Sequence, residues 1–245
     1  MIKVLAIGNS FSEDATRYLH GVAKAGGVDM KVVNLFIGGC PLSYHYSNIL
    51  SDEKKYALMF NGENTGFCVS IKDALLSESR DGWDFITMQQ VSGKSNNYDT
   101  YQPYLSKLSE YVRMYMPKTE QLIHQTWAYE EGGVRLTEEL GYKCQKDMFT
   151  DVKNAYDMAA KSINARIIPS GETLQNLISE GKKVHRDGFH AEKGYTRFAL
   201  SLTWYEMLTG KSALDIDFSD FDVPVDKNDA ELAKKAAHKA CQNYR

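Results

Sequence analysis

Short, continuous apolar runs alternate along this chain with longer stretches in which apolar residues recur every three or four positions. The runs at 2–7 (IKVLAI), 30–36 (MKVVNLF), 83–89 (WDFITMQ), 121–125 and 165–168 predict strands buried on both faces. The helical periodicity predicts helices over 12–26, 71–79, 101–115, 144–163, 174–180, 194–208 and 229–242. The helix over 194–208 is apolar on all sides and is expected to be buried against the sheet. Residues 44–70 are less regular. Asn61-Gly62 is a turn dipeptide there, and it predicts a small hairpin between 56–60 and 66–70. Residues 212–226 read as an irregular acidic excursion.

Alternating strands and helices predict an α/β fold. The expected architecture is a three-layer, flavodoxin-like sandwich with about five parallel strands and helices on both faces. No repeat, low-complexity tract or linker divides residues 1–245, so a single domain is expected.

Composition narrows the function classes without choosing among them. The chain has 245 residues, enough for one large α/β domain with a substantial core. Its net charge is −3, which offers no basis for binding nucleic acid or an anionic membrane, and no apolar run approaches the length of a membrane span. The four cysteines (Cys40, Cys68, Cys144, Cys241) are too far apart in sequence for a CxxC metal or redox site and read as free thiols. No metal and no cofactor is expected. Met1 runs directly into the first strand without a signal peptide, so a cytoplasmic start and an exported chain trimmed of its signal both fit.

The chemistry is concentrated at two places. Gly8-Asn9-Ser10 follows the first strand, which puts the Ser10 hydroxyl at a strand's carboxyl end, where open α/β sheets place ligands. Far downstream stands Asp187-Gly188-Phe189-His190. A serine hydroxyl needs a base to become a nucleophile, histidine is the usual base near neutral pH, and a carboxylate at its far nitrogen holds the tautomer. Asp187 and His190, three residues apart, meet within one local turn, and Gly188 loosens the backbone for it. Taken alone, each feature has a plainer reading. Ser10 and Glu13 have the spacing of a helix capping box, and a DxxH pair arises often on exposed helix ends. His20 and His238 read as helix-surface residues. His45, His124 and His185 read as either lining the site or packed.

In combination, these residues resemble the SGNH (GDSL-like) hydrolase superfamily. IGNSFSEDA (7–15) resembles its first block, with Ser10 as the nucleophile. FIGGCPL (36–42) resembles the second, where Gly39 matches the glycine whose N–H helps form the oxyanion hole. HRDGFHAEKG (185–194) resembles the last block, with Asp187 and His190. The third block departs from the family's GxND and reads Met88-Gln89-Gln90-Val91-Ser92. The resemblance is then to carbohydrate-acetylesterase branches, with Gln90, or alternatively Gln89, as the third oxyanion donor. The set as a whole is similar to a subfamily common in gut Bacteroidetes. It implies a serine esterase that removes an acetyl or other short acyl group from a small-molecule or oligosaccharide ester. Trp127 and His45 are expected at the substrate, with Tyr129, Tyr44 and Tyr46 as further aromatic candidates.

Rival readings are a lipase or thioesterase with the same machinery, a non-catalytic carbohydrate-binding protein, and a flavodoxin-like nucleotide binder with a phosphate at the helix start. The last lacks a glycine-rich phosphate loop and leaves residues 187–190 unexplained.

Overall fold

A computed structural model of the chain describes residues 1–78 and 82–244. The strands are β1 (Ile2–Gly8), β2 (Met30–Phe36), β3 (Tyr56–Phe60), β4 (Glu63–Val69), β5 (Phe85–Met88), β6 (Glu120–His124) and β7 (Arg166–Ile168). They form one sheet of seven strands in the order β4-β3-β2-β1-β5-β6-β7. This corrects the expected count of about five. The parallel part is β2-β1-β5-β6-β7, as expected, and the hairpin β3-β4 extends it by pairing antiparallel with the outer edge of β2. Asn61 and Gly62 both take positive φ (50° and 89°), as a tight two-residue hairpin turn requires. The extra strands satisfy an edge that β2 would otherwise leave unpaired.

β1 is central, and Val4, Leu5, Ala6 and Ile7 are essentially inaccessible. Each fully buried branched side chain contributes roughly 1.5–3 kcal/mol. The chain leaves β1 towards β2 on one side and later returns to its other side with β5, so the strand order reverses at β1. At such a switch point the flanking connections diverge and leave a crevice beyond the strand's carboxyl end. Ser10 stands at that crevice.

The helices are α1 (Ser10–Thr16), α2 (Leu19–Ala25), α3 (Leu42–Ser51), α4 (Ile71–Leu75), α5 (Tyr104–Tyr115), α6 (Gln145–Ile163), α7 (Ser170–Ser179), α8 (Tyr195–Thr209) and α9 (Lys227–Cys241). α1, α2, α7, α8 and α9 pack together on one side of the sheet and α3 to α6 on the other, giving three layers. α8 is buried from Thr196 to Leu208, as its all-round apolar pattern predicts. The helix expected over 12–26 is two helices. The Ser201 hydroxyl of α8 donates to Ala15 O (2.9 Å) and accepts from Tyr18 N (3.3 Å), so a tertiary partner replaces the helical bonds at the break. α3 lies in a region read as irregular. The helix expected over 71–79 ends at Leu75, and Ser79 lies outside the described residues. No described helix is long and apolar enough to cross a membrane.

Candidate active site

Ser10 is the first residue of α1, yet it does not cap it. Asn9 is the N-cap: it is extended (φ −146°), and its Oδ1 accepts from Phe11 N at 3.0 Å. The Ser10 hydroxyl is therefore free of capping duty, and it meets His190 instead. Ser10 Oγ lies 2.8 Å from His190 Nε2, and His190 Nδ1 lies 2.7 Å from Asp187 Oδ2. Asp187 Oδ1 also accepts from the backbone N–H of His190 (2.9 Å) and of Phe189 (3.4 Å). This side-chain-closed turn, with Gly188 at φ +89°, is what the three-residue spacing anticipated. Burial would raise the Asp187 pKa, but the hydrogen bonds from His190 outweigh it and hold the carboxyl below its usual range. An ionised Asp187 only accepts, so His190 Nδ1 carries the proton and Nε2 presents its lone pair to the Ser10 O–H.

The loop 185–191 is fastened to α1 by a residue that the sequence reading passed over. Asp14, one helical turn beyond Ser10, is completely buried. It accepts from Arg186 Nη1 (2.9 and 3.0 Å), Arg197 Nε (2.8 Å) and the backbone N–H of Ala191 (3.0 Å). Arg186 and Ala191 flank the Asp187–His190 turn, so one carboxylate joins the serine's helix to the histidine's loop. The available signal was an acid within the buried face of Phe11, Asp14 and Ala15, where a charge must be paired. A second fastening is neutral: Trp127 Nε1 donates to Phe189 O at 2.8 Å.

Opposite the histidine, Gly38 and Gly39 line the same cavity as Ser10, a space of about 610 Å³. Gly39 takes φ +62°, a conformation that L side chains rarely adopt. Asn9 Nδ2 donates to Cys40 O (3.2 Å), which ties this glycine loop to the start of α1.

The two glutamines named for the oxyanion hole follow β5 as expected, and both fasten loops. Gln90 is fully buried, and its amide is engaged at both ends. Oε1 accepts from Leu42 N and Val91 N (2.9 Å each), and Nε2 donates to Thr100 O (2.9 Å). Gln89 is also buried: Nε2 donates to Asn9 Oδ1 (2.9 Å), and Oε1 accepts from His124 Nδ1 (2.6 Å). Both Nε2 donors of Gln90 are spent on Thr100 (O at 2.9 Å, Oγ1 at 3.2 Å), which leaves none for an oxyanion, whereas Gln89 keeps one N–H beyond its bond to Asn9.

His45 and Trp127 are corrected as well. Each is 0% exposed, so neither touches a ligand in the cleft. His45 packs parallel to the Tyr56 ring, and its Nδ1 lies 2.8 Å from Tyr56 Oη. Trp127 stacks beneath Phe11 (centroids 4.1 Å apart) and acts as floor beneath the site. Burial holds His45 and His124 neutral, each with its pKa lowered to about 3. Tyr129 lines the cavity, as do Phe189 and two residues not singled out in the sequence, Arg135 and Glu139. Among the described residues no cluster of His, Cys, Asp or Glu is placed to hold a metal, and the four cysteines are free.

Comparison with known proteins places the chain. A family model described as a domain of unknown function (DUF4886) matches residues 3–240. The chain belongs to the DUF4886 family. A crystal structure of a DUF4886 family protein from Bacteroides uniformis is 35% identical, with a TM-score of 0.89 over 98% of this chain and 95% of that one. More distant structures share the fold. A catalytic mutant of Axe2, an acetylxylan esterase from Geobacillus stearothermophilus, is 11% identical with a TM-score of 0.55, covering 89% of this chain and 97% of that one. A lipase/acylhydrolase from Enterococcus faecalis is 10% identical with a TM-score of 0.55, covering 86% and 96%. The DUF4886 chain thus has the SGNH-hydrolase fold that its motifs resemble. No curated protein matches it in sequence.

Proposed function

We propose that this chain is a serine esterase that removes a short acyl group, acetyl in the first instance, from a carbohydrate. The observation that carries this reading is the unbroken hydrogen-bond chain from Ser10 through His190 to Asp187, opening into a cavity beside Gly39. Ser10 Oγ attacks the ester carbonyl carbon while its proton passes to His190 Nε2. The carbonyl π electrons move to oxygen, and the backbone N–H groups of Ser10 and Gly39 hold the resulting oxyanion. The intermediate collapses as the C–O bond to the alcohol breaks, and His190 returns the proton to that oxygen. Water, deprotonated by the same imidazole, then attacks the acyl-serine and regenerates Ser10. Asp187 stays ionised throughout and stabilises the imidazolium. General-base assistance contributes roughly 10²–10⁴-fold, and each oxyanion donor typically about 10²–10³-fold.

Support for a polar alcohol comes from the cavity, whose lining includes the charged side chains of Arg135 and Glu139. The acetylxylan esterase of the same fold adds a precedent for the substrate class. A fluorophosphonate probe tests the mechanism. It is expected to label Ser10, to leave Ser10→Ala unlabelled and to label His190→Ala weakly. Ser10→Ala is expected to lose p-nitrophenyl acetate turnover by several orders of magnitude with an unchanged circular-dichroism spectrum. An adduct on another residue, or retained turnover, refutes the assignment. Release of acetate from acetylated xylooligosaccharides tests the substrate class.

A further inference from the structure

Residues 135–139 (Arg135–Glu139) form a π-helical turn between β6 and α6, closed by Leu140 N donating to Arg135 O at 3.2 Å. Such turns are rare and recur at functional sites. This one has a visible consequence. A turn closed between residues five apart brings Arg135, Glu139 and Leu140 to one side, and all three line the cavity that contains Ser10 and His190.

The Arg135 guanidinium is positioned in advance. Its Cζ lies over the Phe189 ring, 4.0 Å from the centroid, and the Phe189 centroid in turn lies 3.8 Å from that of His190. The guanidinium and the imidazole therefore contact the same aromatic ring. Arg135 also bears on the Tyr129 hydroxyl, and that hydroxyl donates to Ser92 Oγ at 3.0 Å. Its nearest carboxylate is Glu139, at 3.8 Å, and both side chains are about half exposed. That separation is long for a charge-assisted hydrogen bond, so most of the guanidinium's donors and the carboxylate's lone pairs remain available. As an isolated surface pair, the two would contribute little.

We infer that Arg135 and Glu139 together read a vicinal diol on the alcohol portion of the substrate, a neutral sugar ring whose adjacent carbon carries the ester at Ser10. This deepens the esterase reading and rests on it. A pair of neighbouring hydroxyls matches both members. Their oxygens accept from the fork of the guanidinium, and one of their protons goes to the Glu139 carboxylate. A carboxylate ligand would use Arg135 alone and be repelled by Glu139. Arg135 and Glu139 bring one charge of each sign to the cavity, which favours a neutral ligand. Tyr129 and Phe189 supply apolar surface for the sugar's C–H face.

The experiment compares three substrates with wild type, Arg135→Ala and Glu139→Ala. The turn is solvent-exposed at both positions, so both variants are expected to fold normally. The substrates are an acetylated xylobiose with a free vicinal diol, its counterpart with that diol O-methylated, and p-nitrophenyl acetate. Each variant is expected to lower the ratio of kcat/KM on the sugar ester to that on p-nitrophenyl acetate by about tenfold or more, mainly through KM. O-methylation is expected to cost wild type a similar factor and the variants little further. A second reading needs no turnover: xylobiose is expected to perturb NMR signals of the Ser10→Ala protein and to do so more weakly once either rim residue is also removed. Unchanged ratios in both variants overturn the inference. So does a Glu139→Ala enzyme that gains activity on an acetylated uronic acid, which would make Arg135 a lone anion anchor. A wild-type protein that hydrolyses neither sugar ester nor p-nitrophenyl acetate refutes the esterase reading instead. In that case xylobiose binding to Ser10→Ala still decides whether the diol site exists.

Discussion

The two walls of the cleft are held in place by opposite chemistry. On the histidine side the fastening is ionic: a fully buried Asp14 gathers Arg186, Arg197 and the Ala191 N–H, and Arg197 passes on to Asp222 (3.1 Å). On the glycine side it is neutral: Asn9, Gln89, Gln90 and His124 link α1, the Cys40 carbonyl and the start of α3 through amides and one imidazole. Both arrangements do the same job of pinning a loop beside Ser10. The ionic wall depends on every partner being present, because a buried charge left alone is costly. The neutral wall depends on His124, and on His45 beside Cys40 (Nδ1 to Sγ 3.5 Å), staying unprotonated. The comparison teaches that a strong fastening can come from either source, and that each leaves a distinct weakness to probe.

The largest effect is expected from breaking the ionic wall. Asp14→Ala leaves two guanidinium groups without their shared carboxylate and is expected to cost about 3–5 kcal/mol of stability, read as a lower urea midpoint. Activity should fall with it, because the imidazole loses its register with Ser10. A loss below about 1 kcal/mol would mean that the histidine loop is held by other contacts.

Acid tests the neutral wall. His45 and His124 bind protons below about 6.5 when unfolded but resist until about 3 when folded. The unfolded state therefore takes up protons first as pH falls. The stability these groups contribute is complete above about 6.5 and is lost between there and about 3, at about 1.4 kcal/mol per pH unit for each. Asp187 works in the opposite corner. Its folded pKa is depressed, so its contribution holds above the unfolded value of about 3.9 and is lost only as pH falls through the lower folded one. Loss of stability at pH 5 should then be relieved by replacing His45 or His124 and be indifferent to Asp187→Asn. A flat profile between pH 7 and 5 would contradict the burial of the imidazoles.

Gln90→Ala sharpens the contrast further. As a fastener, Gln90 should cost about 1–3 kcal/mol of stability, because the N–H groups of Leu42 and Val91 lose their acceptor. As an oxyanion donor it would instead cost about 10²–10³-fold in kcat with a normal urea midpoint, and that result would return it to the catalytic role its sequence position suggested. The smallest effect is expected from Trp127→Phe, which removes the bond to Phe189 O and part of the buried indole stacked on Phe11. About 1–2 kcal/mol should be lost, with KM for the sugar ester little altered because the indole lies beneath the cleft.

Much of the fold was legible because burial leaves a local trace. The run ending at Ile7 announces a strand covered on both faces, and the all-round apolar pattern of α8 announces a helix with no solvent face. The Asp187–His190 contact was legible for the same reason, since three residues span one turn. What escaped notice is non-local. The break between α1 and α2 depends on a hydroxyl at Ser201, far along the chain. β3 and β4 join the sheet because β2 has a free edge, which its own residues do not reveal. Asp14 shares a helix face with Phe11 and Ala15, and only the approach of Arg186 and Arg197 makes it a buried anchor.

By itself the sequence determined where the hydroxyl and the imidazole–carboxylate pair sit on their elements, because apolar periodicity and short turns are properties of neighbours. Tertiary structure alone decided which polar groups remain free to act. An amide carries donors at one end and an acceptor at the other, and it is satisfied by whichever distant backbone comes within reach. For that reason two glutamines in the expected position became fasteners, while an arginine and a glutamate on an unannounced turn reached the cavity.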